Sequence, residues 1–233
     1  MKIDQSQVIY EDNHLVVVNK APGILVQGDE TGDETLLDIV KEYIKEKYNK
    51  PGAVFLAPVH RLDRPVSGVV VFARTSKAAE RMAKIFQDHK ITKKYIALVG
   101  KKPQYDEDTM INWMKKDPKK NRSHVYQSEK KGGKYVETYY QLLGRVGDNY
   151  CLEVIPKTGR SHQIRAQLGN IASPIVGDMK YGAPKRIMKG KLIFLHAREL
   201  EFEHPVKKEP VRFTAKLPDH DVWRNFTEMA ASI

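Results

Sequence analysis

The sequence predicts an α+β fold with a mixed, largely antiparallel central β-sheet flanked by helices and loops. Three observations carry that reading. The N-terminal part alternates strand-like and helix-like segments, and the second half holds one strand after another with few helices between them. A chain of 233 residues, 41% of them hydrophobic, is also long enough to build one sizeable core.

The elements follow in order. "QVIYEDNHLVVVNKAPGI" reads as two short strands around an Asp-Asn turn, ended by Pro22-Gly23. Residues 35–48 place Leu36, Val40, Tyr43 and Ile44 on one helical face. After a Pro/Gly break, "GVVVFAR" has the β-branched richness of a buried strand. Thr75 or Ser76 then caps a helix with Ala79, Met82 and Phe86 inward. Strands follow in "KKYIALVG", "SHVYQ", "KYVETYYQLLG", "NYCLEVIP", "KLIFLHARELEF" and "PVRFTAKL". A helix is expected from about Ser161 to Ile171, and another after Asp219 with Val222, Trp223, Phe226 and Met229 inward. There is no repeat, low-complexity tract or long linker, so a single domain spanning residues 1–233 is expected.

Forty Lys+Arg against twenty-nine Asp+Glu leave a formal charge of +11, an excess that attracts polyanions. The charge is clumped: "KKDPKKNRSHVYQSEKKGGK", residues 115–134, carries eight Lys/Arg and two acids. Nucleic acid is the first partner to consider, with a solvated, mobile loop as the plain alternative. The opening residues lack an apolar signal region and the longest apolar runs are too short to cross a bilayer, so no membrane partner and a cytoplasmic setting are expected. Cys151, the one cysteine, excludes an internal disulfide or a thiolate metal cage and reads as a small packing residue in a strand. With no P-loop or dinucleotide fingerprint either, no cofactor and no metal are expected.

Two stretches carry chemistry. "HRLDRPVSGVVVFAR", residues 60–74, sets Asp63 between Arg61 and Arg64 at the mouth of a strand, where neighbouring positive charge favours the ionised carboxylate. Asp63 could equally be the organiser of an Asx turn at the "DRPVSG" corner. "PKTGRSHQIRAQL", residues 156–168, is a turn followed by a helix on which one side packs and another presents Arg165, Gln163 and first-turn N–H groups, an anion-attracting surface. Arg160 and Arg165 are suited to gripping phosphate or orienting a carboxylate through a bidentate fork. Tyr95 in "KKYIALVG" alternates with Ala97 and Val99 on one face. "PIVGDMKYGAP" is a Gly-punctuated loop ending in Lys180, Tyr181 and Gly182.

Taken together, "HRLDRPVSGVVVFAR", "KKYIALV", "TGRSHQIRAQL", "GDMKYG" and "LHARELEFEHP" resemble, in order and spacing, the RluA-type pseudouridine synthases, from about Val8 to Pro218. Pro65-Val66 stands where that family commonly has an acidic residue and Thr, and Ser161 where Thr or Pro is common. The resemblance implies isomerisation of a uridine within tRNA or rRNA, without cofactor or metal, by a catalytic domain expected here to lack an N-terminal S4 module and to act as a monomer. It implies Asp63 as nucleophile, Arg165 as the arginine that pairs with it, and Tyr95 against the target base. Arg61 would fill the space of the flipped nucleotide and bind phosphate. His60, Arg160, His162 and Gln163 are expected to bind substrate. Attack at C1′, attack at C6 and glycal formation are all open. A non-catalytic RNA-binding domain, and a metal-dependent nuclease built on His60, Asp63 and His162, are the rival readings.

Overall fold

A computed structural model describes residue 3 and residues 5–232. The chain forms two compact units: residues 1–92 with 197–216, and residues 93–196 with 217–233.

In the first unit, β1 (Val8–Glu11) and β2 (Leu15–Lys20) form the hairpin read from the Asp-Asn turn. Asp12 Oδ1 closes that turn by accepting from the N–H groups of His14 and Leu15, both at 2.8 Å. β2 pairs antiparallel with β4 (Ser67–Ala73), and the two-residue β3 (Ala57–Pro58) also pairs with β4. The strand order is β1-β2-β4-β10, with β11 (Pro210–Thr214) antiparallel to β10 (Leu195–Glu203). Every residue of β4 is buried, as its unbroken apolar run requires. Helix α1 (Leu36–Lys47) opens with a capping box between Thr35 and Asp38 and buries Leu36, Ile39, Val40 and Ile44. Helix α2 (Ser76–Gln87) is capped by Thr75 and buries Ala78 and Met82, one residue off the expected Ala79.

The second unit is a meander in the order β5-β9-β8-β6-β7, antiparallel at every described pairing. Its strands are β5 (Ile91–Val99, joining the unit at Lys93), β6 (Glu107–Asp117), β7 (Arg122–Tyr126), β8 (Lys134–Val146) and β9 (Asn149–Pro156). β6 was not expected. It buries Met110, Asn112 and Met114 at period two, but a polar residue at the centre of the alternation hides the pattern. The basic stretch is likewise no loop: most of it lies in β6, β7 and their tight turn, where Asp117 Oδ1 accepts from the N–H groups of Lys119 and Lys120.

Helix α3 (Gln163–Asn170) starts later than expected, behind His162 in the left-handed region at φ 57°. The helix after Asp219 is two pieces, α4 (Asp221–Arg224) and α5 (Thr227–Ala231), which bury Trp223, Phe226 and Ala230. Cys151 is fully buried in β9, and burial pushes its thiol up to about 12. Among the described residues no helix is long and apolar enough to cross a membrane.

Candidate active site

The loop from β3 to β4 carries Asp63. At its base His60 turns inward: Nε2 accepts from Val71 N–H at 3.1 Å and the ring stacks on Phe86 at 5.2 Å between centroids. Leu62 is buried, Asp63 is half-buried and Arg61 is exposed. Val66 N–H donates to Asp63 O at 3.0 Å and closes a tight turn through Arg64 and Pro65. Gly68 follows at φ 119°, where a Cβ would fall onto the backbone of Ala197, so a side chain cannot be accommodated.

Arg64 Nη2 lies 2.7 Å from Asp33 Oδ2 and its Nε donates to Gly23 O at 3.1 Å, pinning the 23–33 segment. One cation that couples to Asp63 is Lys20. Lys20, at the end of β2, is fully buried and its ammonium donates to Ala21 O (3.1 Å), Ile24 O (2.7 Å) and Arg64 O (3.1 Å). Three carbonyls use all three donors, and one of them belongs to the Asp63 turn itself. Burial brings the Lys20 ammonium down to about 7, against an opposing contribution from Asp63.

That shift has a definite sign for stability. The unfolded chain holds the Lys20 proton up to its ordinary value of 10.5, the folded chain only to about 7. Between those values the unfolded state binds more protons, so stability rises with pH. Relative to Lys20→Met, the wild-type chain should gain stability from pH 7 to 10 by up to about 1.4 kcal/mol per pH unit. Chemical denaturation of both proteins across that range checks the prediction; parallel curves would contradict it.

In the second unit the turn before α3 is locked by Gln163. Its Oε1 accepts from Thr158 Oγ1 (2.8 Å) and Arg160 N–H (3.0 Å), and its Nε2 donates to Glu137 O (3.1 Å) and Thr138 Oγ1 (2.9 Å). All four amide hydrogen-bond positions are used internally. Lys93 adds a donor to Thr158 O at 3.2 Å, and burial lowers its ammonium. Gln167 continues the buried network to Thr138, Met110 O and Asn112.

Residues 163–168 are therefore all buried, and the expected exposed face bearing Gln163 and Arg165 does not form. The reason is partner supply: β6, β8 and the 174–183 loop provide partners for the side chains of Gln163, Arg165 and Gln167. Arg165, 6% exposed, donates from Nε to Asp178 Oδ2 at 2.7 Å and from Nη2 to Asp178 Oδ1 at 2.9 Å. Its guanidinium also lies 5.3 Å from the Tyr181 ring centroid, as does that of Arg122. The Tyr181 hydroxyl accepts from Ser123 N–H at 2.8 Å and sits 2.9 Å from His162 Nδ1; burial raises its pKa. A Cβ on Gly169 would meet Tyr181 O at 2.5 Å, so that glycine lets α3 approach the loop. Arg160 is exposed, and Tyr95 is half-buried on β5 opposite Val154.

Asp63, His60 and Arg61 thus belong to the first unit; Tyr95, Arg160, His162, Gln163 and Arg165 belong to the second. Sequence reasoning missed Lys20 and Asp178. A lysine closing a strand reads as solvated, but a buried arginine demands an acid, and Asp178 stands alone as a carboxylate in "PIVGDMKYG".

The first unit presents a half-buried carboxylate on its β3–β4 loop, and the second holds a buried arginine side-on against an acid. The family described as RNA pseudouridylate synthase matches residues 14–170. The chain is 31% identical over 230 residues to the tRNA pseudouridine synthase C of Vibrio parahaemolyticus, covering 91% of each. It is 33% identical to the dual-specificity RNA pseudouridine synthase RluA of Haemophilus influenzae, covering 90% of this chain and 92% of that one. Among solved structures, human RNA pseudouridylate synthase domain containing 4 superposes at a TM-score of 0.76 with 23% identity, covering 97% of this chain and 92% of that one, a likeness of fold. The chain belongs to the RNA pseudouridylate synthase family, in its RluA-type branch, and so to the isomerases.

Proposed function

We propose that this protein converts uridine to pseudouridine within tRNA or ribosomal RNA, in the cytoplasm and as a monomer. The observation that carries the reading is the turn at Asp63, a half-buried carboxylate on a loop tied down by a buried ammonium. The names of the relatives, one a tRNA enzyme, one dual-specific and one a ribosomal large subunit synthase of Rickettsia prowazekii, support the substrate class.

In this reading Asp63 is the nucleophile. The N1–C1′ bond breaks, the uracil turns, C5 bonds to C1′, and the C5 proton is lost as N1 gains one, so atoms balance without an oxidant. Covalent participation by a carboxylate divides one difficult step into two. Arg165 is its partner cation, Tyr95 faces the base, and exposed Arg61 and Arg160 bind phosphate. The target nucleotide leaves its stack, at a cost of a few kcal/mol. His60 and Gln163 support the substrate-binding groups through the packing and hydrogen bonds described above.

Incubation with transcripts tritiated at uridine C5 tests the proposal. Tritium release at full transcript length, insensitive to EDTA, is expected; shortened RNA would point to a nuclease, and binding without release to a non-catalytic RNA-binding domain. The turn between β6 and β7 should contribute electrostatically. Replacing Lys119 and Lys120 with Gln should flatten the salt dependence of RNA binding by about 0.7 in log K per log salt for each counterion no longer released. An unchanged slope would remove the turn from the footprint.

A further inference from the structure

The β6–β7–β8 portion of the second unit has two unlike faces. One buries Met110, Asn112, Met114, Val136 and Thr138. On the other, cross-strand pairing sets three aromatic rings in one row: Tyr126 opposite Trp113, and Trp113 opposite Tyr135. Trp113 and Tyr135 meet edge-on, with centroids 5.8 Å apart and planes at 84°, and Tyr135 is 43% exposed. The solvent face of an antiparallel ribbon ordinarily reads polar, so a row of three rings there calls for a partner with flat apolar surfaces.

Charge identifies that partner. Lys130 Nζ stands 5.6 Å over the Tyr126 ring, and Lys115, two pairs along from the row and on the same face, reaches across to Lys131 O at 3.4 Å. Beyond them lies the turn with Lys119 and Lys120. On the other side the row is bounded by acids: Glu137 accepts from the Tyr135 hydroxyl and Glu107 from that of Tyr139, each at 2.8 Å. The surface is therefore cationic toward the hairpin tip and closed to polyanions at the opposite end. Rings interleaved with lysines fit unpaired nucleotides, whose bases stack while their phosphates meet the ammonium groups.

We propose that Tyr126, Trp113 and Tyr135 form a stacking platform for single-stranded RNA, engaging nucleotides of the substrate outside the one that reacts. This rests on the isomerase reading only in taking RNA as the natural ligand.

The chain has two tryptophans, and Trp223 is fully buried, so a ligand-dependent change in tryptophan emission reports on Trp113. Titrating the full-length protein with a short oligouridylate should quench that emission saturably. Trp113→Leu should weaken the oligouridylate about tenfold, within the range found for loss of one base–aromatic stack. Trp113→Phe should restore most of the affinity, and a blunt RNA duplex should bind all three proteins alike. If Trp113→Leu loses cooperative unfolding, Tyr135→Leu, at a more exposed position, serves in its place with the same expectation.

Unchanged emission, equal oligouridylate affinity in the Leu variant, or equal loss for single strand and duplex would each overturn the platform. So would a dimer that Trp113→Leu dissociates, which would make the face a contact between copies. Tritium release measured alongside separates the two readings: quenching without isomerisation retains the platform and rejects the isomerase, and the reverse does the opposite.

Discussion

Asp63→Asn is expected to lower turnover by about 10^3-fold or more, because an amide cannot serve as the nucleophile and the steps that depend on it fail together. RNA affinity should stay within severalfold of wild type, since Asn keeps the shape of the turn. The substitution also acts below the loop. Asp63 supports the protonated form of Lys20, so removing its charge draws the ammonium further down from about 7. At neutral pH Lys20 then sheds its proton more readily, weakening the bonds to Ala21 O, Ile24 O and Arg64 O. A modest stability loss, larger at mildly acid pH, where Lys20 is protonated and has lost its partner charge, than at neutral pH and above, should accompany the loss of activity. Tritium release, filter binding and denaturation on the same preparation separate the three effects. A few per cent of residual turnover in a clean sample would overturn the assignment of Asp63.

Much of the fold was readable because local signals agreed. The Asp12 turn, the Thr35 and Thr75 caps, the buried run of β4 and the apolar alternation of β8 each point the same way at the level of sequence and of packing. The failures share one cause, a polar side chain satisfied by something distant in sequence. Asn112 interrupts the apolar alternation of β6, yet it is buried against Gln127 and Gln167. Gln163 and Arg165 made α3 look amphipathic, and partners on β8 and the 174–183 loop let residues 163–168 sink completely. Lys20 follows a run of valines and precedes Pro22, which marks a strand end but not a depth. Asp63 itself was legible as an acid in a turn, but its coupling to the buried Lys20 was not, because the Lys20 contacts reach across the chain to Arg64.

Two units of different character also separate what the candidate residues ask of the scaffold. In the first, the Asp63 turn is shaped by backbone requirements: the carbonyls that receive Lys20, and Gly68, which leaves room for Ala197. In the second, side-chain hydrogen bonds fix the geometry, with Gln163 holding the TG turn and Asp178 holding Arg165. Substitutions in the two places should therefore fail differently, a distorted turn in one and an unmatched buried charge in the other.

The second case has the larger consequence for stability. Asp178, 2% exposed, is the side-on partner of an arginine that is itself 6% exposed. Asp178→Ala leaves that guanidinium without its bidentate acceptor in a place where water does not replace it, and breaking a buried pair from one side costs about 3–5 kcal/mol. The loss should appear as a lowered denaturation midpoint with an unchanged denaturant slope. Arg165→Met with Asp178→Ala should be less destabilised than the sum of the two single changes, because the double variant buries neither an unmatched cation nor an unmatched anion. Strict additivity would mean that the short distances to Asp178 carry little energy and that packing on Tyr181 holds the arginine in place. Arg165→Lys sharpens the same comparison: it keeps the charge but not the planar fork, so it should lose a large part of the coupling to Asp178 while keeping the ion pair's sign.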